Sequence, residues 1–185
     1  MNDSVDIASK EKTYNPALII LATVLGPMIQ EIDSMVVGVA LPHMRGQFSA
    51  APDQISWVLT TYLIGVAVTM PATGALASKF GRKKILIIAI FGFTVTSVLA
   101  GLAGSLNELI AIRFVQGGFG AVLTPLSMST LLDNFRREDH GMALGWWGVG
   151  IMVAPILGPT VGSFIAEYFT WRGVFFINVP FGILA

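Results

Sequence analysis

The sequence predicts an all-α polytopic membrane protein, and three observations lead there. Hydrophobic residues make up 54% of the 185-residue chain and charged residues only 12%, with a mean hydropathy of +0.74, whereas soluble domains devote about a quarter of their residues to charge. Apolar runs long enough to cross a hydrocarbon core of about 30 Å, which takes about 20 helical residues, recur along the chain. Lys and Arg gather in alternate polar connections between those runs. Long continuous runs imply helices, because a membrane barrel would show short segments of alternating polarity.

In chain order, residues 1–16 are polar and mixed in charge, and are expected to form a short cytoplasmic tail. The first apolar run is too long and too acidic to be a cleaved signal segment. Within a partial transmembrane domain at 17–185, spans are expected at about 17–41, 55–77, 84–104, 108–130 and 142–165. A sixth run opens near Gly173 and reaches Ala185 in "PFGILA" without a polar flank or basic anchor. The expectation is five complete spans and an incomplete sixth (173–185), in a fragment or truncated product. With the amino terminus cytoplasmic, the inner side holds Lys10, Lys12, Lys79, Arg82, Lys83, Lys84, Arg136 and Arg137, and the outer side only Arg45 and Arg172. That bias sets the topology.

Several classes of function are disfavoured. The formal net charge is zero and the basic residues sit at membrane edges, so nucleic acid has no footprint to bind. There are no cysteines, hence no disulfide or thiol chemistry. His43 and His140 fall in opposite loops with no metal-ligand cluster or nucleophile arrangement around them. No enzyme, metal or other cofactor is expected.

Polar residues inside the spans are the functional candidates. "GPMIQEIDSMVVGVALP" places Gln30, Glu31 and Asp33 in the first helix. At 100° per residue Glu31 and Asp33 point about 200° apart, so they cannot share one central cavity without distorting the helix. An intramembrane carboxylate is costly unless paired, hydrated or neutral; each is either a structural hydrogen-bonding group or a protonatable site lining a passage. "IRFVQGGFGAVLTP" places Arg113 about one turn inside the fourth span, with Gln116 a turn further in. Arg113 either snorkels to the outer surface or meets a carboxylate or carbonyl brought close by the small surface of Gly117, Gly118 and Gly120. In the fifth span, "GVGIMVAPILGPTVGSF" combines Gly148, Gly150, Gly158 and Gly162 with Pro155 and Pro159. A static tight contact and a moving interface both account for that composition.

"GALASKFGRKK" then resembles the signature between the second and third helices of the major facilitator superfamily, G-x-L-A-D-R-x-G-R-K. Gly74, Leu76, Ala77, Gly81, Arg82 and Lys83 match, Lys79 replaces the arginine, and Ser78 stands where the family has aspartate. The resemblance implies a cytoplasmic gate, in which Ser78 cannot supply the usual negative charge. "RFVQGGFGA" resembles the fourth-helix motif, whose positions, matched by Arg113, Gln116, Gly117 and Gly120, are linked with proton coupling. "GIMVAPILGPTVG" resembles the antiporters' fifth-helix motif through Gly150, Pro155, Gly158, Pro159 and Gly162. "WVLTTYLIGVAVTMPATGALA" and "FTWRGVFFINVPFG" resemble the second helix and the entry to the sixth in the fourteen-helix drug:proton antiporter subfamily. The first helix is similar to that subfamily's at Asp33, Val36, Val37 and Ala40 to Pro42, with Met35 and Gly38 departing from it.

What the resemblance implies is the amino-terminal half of a transporter that exports lipophilic or cationic compounds by alternating access, with protons as the coupling ion. Protonation of Asp33 and a changing environment for Arg113 would favour inward opening. The implied partners are the bilayer, the substrate and the missing carboxy-terminal half, and the implied location is the cell's inner (plasma) membrane. The alternatives are an uptake permease for a small metabolite, a non-transporting membrane scaffold and an inactive truncated product.

Overall fold

The computed structural model describes residues 15–185. The expected tail, with Lys10 and Lys12, lies outside the described residues except for its last two positions. Helix α1 (Pro16–Phe48) starts where the Asn15 side chain accepts the Ala17 N–H at 3.0 Å, and Pro16 occupies a first-turn position that needs no donor. It ends at Ser49, whose φ of 50° turns the chain. Helix α2 (Pro52–Thr69), a 3-10 turn at Met70–Ala72 and α3 (Thr73–Phe80) make one bent span. Gly81, at φ 87°, joins α3 to α4 (Arg82–Leu102), a backbone angle that side-chain-bearing residues avoid.

Helix α5 (Leu106–Asp133) begins in a reciprocal cap: the Ser105 hydroxyl accepts the Glu108 N–H, and the Glu108 carboxylate accepts the Gly104 N–H. A 3-10 turn at Arg137–Asp139 leads into α6 (His140–Tyr168), followed by the short α7 (Gly173–Phe176) and α8 (Asn178–Leu184). Among the described residues, five helical stretches, Pro16–Phe48, Pro52–Phe80, Arg82–Leu102, Leu106–Asp133 and Arg137–Tyr168, are long and apolar enough to cross a membrane.

Prolines shape these helices without ending them. Helix α1 continues past Pro42, because an internal proline removes one backbone bond while the turns on either side hold. Pro27 leaves the Thr23 carbonyl without its helical donor, and the Trp147 indole N–H of α6 donates to that carbonyl at 3.2 Å. Pro155 and Pro159 lie within α6 and face outward.

Helix α1 packs along α6, α2 along α5, and α4 against α5, while α8 contacts both α1 and α4. With lipid no less apolar than leucine, such contacts rest on close backbone approach and dispersion. Helix α6 accordingly buries only Ala143, Ala154, Gly158, Gly162 and Ala166. A Cβ at Gly158 would lie 2.8 Å from Met35 Cβ, and one at Gly162 would lie 3.0 Å from Val36 Cα. Between α2 and α5 the approach is tighter still: a Cβ on Gly65 would strike the Phe114 carbonyl, and one on Gly117 the Tyr62 carbonyl. Large apolar side chains such as Phe91, Ile156 and Ile183 turn outward.

Gly117→Ala is therefore expected to destabilise the bundle by about 1–3 kcal/mol, the range for overpacking. Gly148→Ala, with nothing within 4 Å of the added Cβ, should change stability by less than about 1 kcal/mol. Unfolding in mixed micelles with increasing dodecyl sulfate, followed by circular dichroism, measures both; equal midpoints for the two variants would contradict the contact.

Candidate functional site

Asp33 projects from the middle of α1 into a region where no water-accessible surface remains on its side chain or on that of Arg113 (0% each). Arg113 Nη1 donates to Asp33 Oδ2 at 2.5 Å and to Gln116 Oε1 at 2.8 Å, and its Nε donates to the Val58 carbonyl of α2 at 3.3 Å. Gln116 Nε2 donates to Asp33 Oδ1 at 3.2 Å. Asn178, the first residue of α8, donates to the same oxygen at 2.7 Å and to Ser97 Oγ of α4 at 2.9 Å. The Ser97 hydroxyl donates to the Phe175 carbonyl, at the join of α7 and α8, at 2.8 Å. One carboxylate thus ties together α1, α5 and α8, with α2 and α4 one bond further out.

Local sequence explains how these groups meet. Arg113 and Gln116 are three residues apart on α5 and share a face. The glycines beside them bring α2 close enough for the Tyr62 ring to lie 4.2 Å from the guanidinium carbon. A Cβ at Gly120 would lie 2.8 Å from the Tyr62 hydroxyl oxygen, so this glycine leaves room for the ring's tip. The Phe175 ring lies 5.9 Å away on another side. Removing two charges from water costs several kcal/mol per ion, and only well-aligned charge-assisted bonds and a polarisable ring offset it.

Of the candidates singled out in the sequence, Asp33, Arg113 and Gln116 converge here. Arg113 is buried and does not snorkel. Glu31 is half-buried and stays outside the cluster, as its angular separation from Asp33 requires. Gln30 accepts from Thr124 of α5 at 3.3 Å, a second polar tie between the same two helices. Tyr62, Ser97 and Asn178 were not singled out. Asn178 had a signal: it is the one polar side chain in "GVFFINVPFGILA", and a lone polar group in an apolar run asks for a partner.

The other two groups of candidates lie elsewhere. Gly74, Ser78 and Lys79 on α3, Gly81 at the join and Arg82 and Lys83 at the start of α4 are all exposed. Ser78 bonds only its own helix, through the Ala75 carbonyl at 3.0 Å. The acid that faces this turn comes from α5, where Asp133 pairs with Arg82. A crevice of about 430 Å³ opens beside it, lined in part by Gly74, Ser78, Arg82, Pro125 and Ser129. Gly150, Gly158 and Gly162 form the contact of α6 with Val24, Met35 and Val36 of α1, whereas Pro155 and Pro159 lie away from it. Among the described residues no group of three or more His, Asp or Glu is placed to hold a metal.

The Major Facilitator Superfamily model matches residues 23–185. The chain is 41% identical over 166 residues to the multidrug export protein EmrB of Haemophilus influenzae, covering 90% of this chain and 32% of that protein. It is 36% identical over 169 residues to the fatty acid resistance protein FarB of Neisseria gonorrhoeae, covering 91% and 33%. The chain therefore spans about a third of the length of these curated relatives. Its fold is similar to that of the inward-open xylose transporter XylE of E. coli, with a TM-score of 0.81 at 20% identity over 92% of this chain and 46% of that one.

Breaking the buried pair from one side strands a charge. Arg113→Leu is expected to cost about 3–5 kcal/mol in the same micellar unfolding measurement. The double variant Asp33→Asn with Arg113→Leu should recover part of that loss, since neither charge then remains. Unchanged stability in Arg113→Leu would rule out a buried pair.

Proposed function

The chain belongs to the Major Facilitator Superfamily, and on that premise we propose that it forms part of a proton-coupled exporter of lipophilic or amphipathic, often cationic, compounds. It sits in the cell's inner membrane with its amino terminus cytoplasmic and works by alternating access with a second half. The observation that carries this reading is the Asp33 carboxylate. It is buried, ionisable and bonded to donors from two other helices, so one added proton changes what holds α1 to α5 and α8. A proton that binds one arrangement better than another shifts the population between them, which is all that coupling requires. Support for the direction comes from the relative named for multidrug export and from the tetracenomycin C resistance and export protein of Streptomyces glaucescens, 32% identical over 166 residues.

The remaining candidates take roles around that acid. Gln116 holds Arg113 in place while Asp33 changes state, and Glu31, outside the cluster, lines the passage. The Arg82–Asp133 pair is roughly half exposed on both sides (49% and 57%), and such pairs contribute about 0–1 kcal/mol. It acts as one of several weak contacts, with Lys79 and Lys83, that close the cytoplasmic end. The side-chain-free strip of Gly150, Gly158 and Gly162 lets α6 shift along α1. Pro155 and Pro159 leave two carbonyls without helical donors and so ease bending.

Joined to the remaining part of the 41%-identical exporter, the chain is expected to drive uptake of a lipophilic cation into everted vesicles with an acid lumen. A protonophore should abolish that uptake, and Asp33→Asn should lower its rate by at least about tenfold, which corresponds to about 1.4 kcal/mol of barrier. Transport unaffected by collapse of the gradient would favour facilitated passage instead. Because the chain has no cysteine, orientation is testable by single substitutions: a membrane-impermeant maleimide should label Ser105→Cys in intact cells and Ser78→Cys only in everted vesicles. The opposite pattern would reverse the topology.

A further inference from the structure

The partners of Asp33 differ in whether they can serve it once it carries a proton. Arg113 has only donors. Gln116 has an acceptor, but its Oε1 is engaged by Arg113 Nη1 at 2.8 Å. Asn178 is different: its Nδ2 donates to Asp33 at 2.7 Å and to Ser97 at 2.9 Å, while its own Oδ1 is buried with no hydrogen-bond partner. Buried acceptors are nearly always satisfied, so a free one beside an ionisable acid calls for an explanation.

We propose that Asn178 is a two-state positioning residue that passes the protonation of Asp33 to the sixth apolar segment by turning its side-chain amide over. With Asp33 ionised, Nδ2 faces the carboxylate, as in the structure. With a proton on Oδ1 of Asp33, the amide rotates by half a turn and Asn178 Oδ1 accepts the new O–H. The Ser97 hydroxyl, which had accepted from Nδ2, then donates to the same Oδ1 and gives up the Phe175 carbonyl it holds at 2.8 Å. No covalent bond changes beyond the one O–H that arrives. A single proton at α1 thereby releases the tie between α4 and the join of α7 and α8.

The turn exchanges one unpaired buried group for another, since Nδ2 comes to the place where Oδ1 stands without a partner. Arg113 is not stranded, because Gln116 Oε1, the Val58 carbonyl and the Tyr62 ring remain. Arg113 of α5 and Tyr62 of α2 are the charged or titratable groups beside Asp33 from packed elements, and Glu31 lies two residues away on α1 itself. Helix α4 carries charge only at Arg82, Lys83 and Lys84 of its first turn, α6 has His140, Glu167 and Tyr168 at its two ends, and α7 and α8 carry no titratable residue.

The inference rests on Asp33 being the protonatable acid of the proposed exporter, and its test does not require transport. The 185-residue chain, labelled with 13C,15N-asparagine together with 13C-isoleucine, 13C-aspartate and 13C-phenylalanine in lipid nanodiscs, is followed by solid-state NMR as pH is varied. Ile177–Asn178 is the only Ile–Asn pair in the sequence, which identifies the Asn178 signal without a substitution; Asn178→Thr, which keeps a donor and an acceptor, checks it. The expected result is a shift of the Asn178 side-chain nitrogen with the same midpoint as the 13C-labelled Asp33 carboxyl, lost in Asp33→Asn. In Ser97→Ala the nitrogen should still shift while the Phe175 carbonyl no longer responds. An Asn178 signal that stays fixed while Asp33 titrates overturns the relay and leaves proton coupling standing. An Asp33 that never titrates overturns both, and a relay that responds in a chain whose fused exporter ignores the gradient overturns only the transport reading.

Discussion

The buried ion pair of Asp33 and Arg113 is the constraint around which the bundle is organised. Neither side chain reaches solvent, and neither charge is tolerable in a hydrocarbon-like interior without the other. Once they are paired, the remaining lone pairs and N–H groups demand partners as well. Gln116, Asn178, Ser97 and the carbonyls of Val58 and Phe175 answer most of that demand, leaving Arg113 Nη2 and Asn178 Oδ1 without a hydrogen-bond partner. Satisfying one carboxylate therefore fixes the relative placement of α1, α2, α4, α5 and the α7–α8 join.

Glycine makes this geometry reachable. Asp33 and Arg113 stand on α1 and α5, where Gly26 lies against Ser127 and Leu123, and the Gly65 and Gly117 contacts put α2 and α5 in direct backbone contact. The same device recurs between α1 and α6, where Gly158 and Gly162 lie against Met35 and Val36. In the first interface glycine serves the polar cluster, because it sets Tyr62 against Arg113. The second meets Val24, Met35 and Val36 at its glycines and is crossed by the neutral bond from the Trp147 indole to the Thr23 carbonyl. A bundle with one seam pinned by a buried ion pair and another held by glycine contacts and a neutral hydrogen bond is suited to movement along the second.

The turn between α3 and α4 follows a different logic. Its charges are exposed, its one ion pair is weak individually, and its glycine at position 81 is required by backbone angle rather than by packing. Ser78 in place of an acid does not leave Arg82 without a partner, since Asp133 reaches it from the end of α5. The acid is supplied by another helix fifty-one residues away in sequence, a substitution invisible to any reading of the turn by itself.

Composition, run length and the alternation of basic loops determined the membrane class and the helical nature of the spans, and the resemblance of short motifs pointed to the family, because each of these is a local property of sequence. Motif spacing also marked Asp33, Arg113 and Gln116, since ionisable or amide groups in an apolar run stand out. Only the tertiary structure decided that Arg113 turns inward to Asp33 instead of outward to the surface, that Glu31 stays out of the cluster, and that Asn178, Ser97 and Tyr62 enter it. Those outcomes depend on contacts between residues up to 145 positions apart. Helical periodicity gives the direction of a side chain on its own helix, but which helix lies opposite is settled by packing.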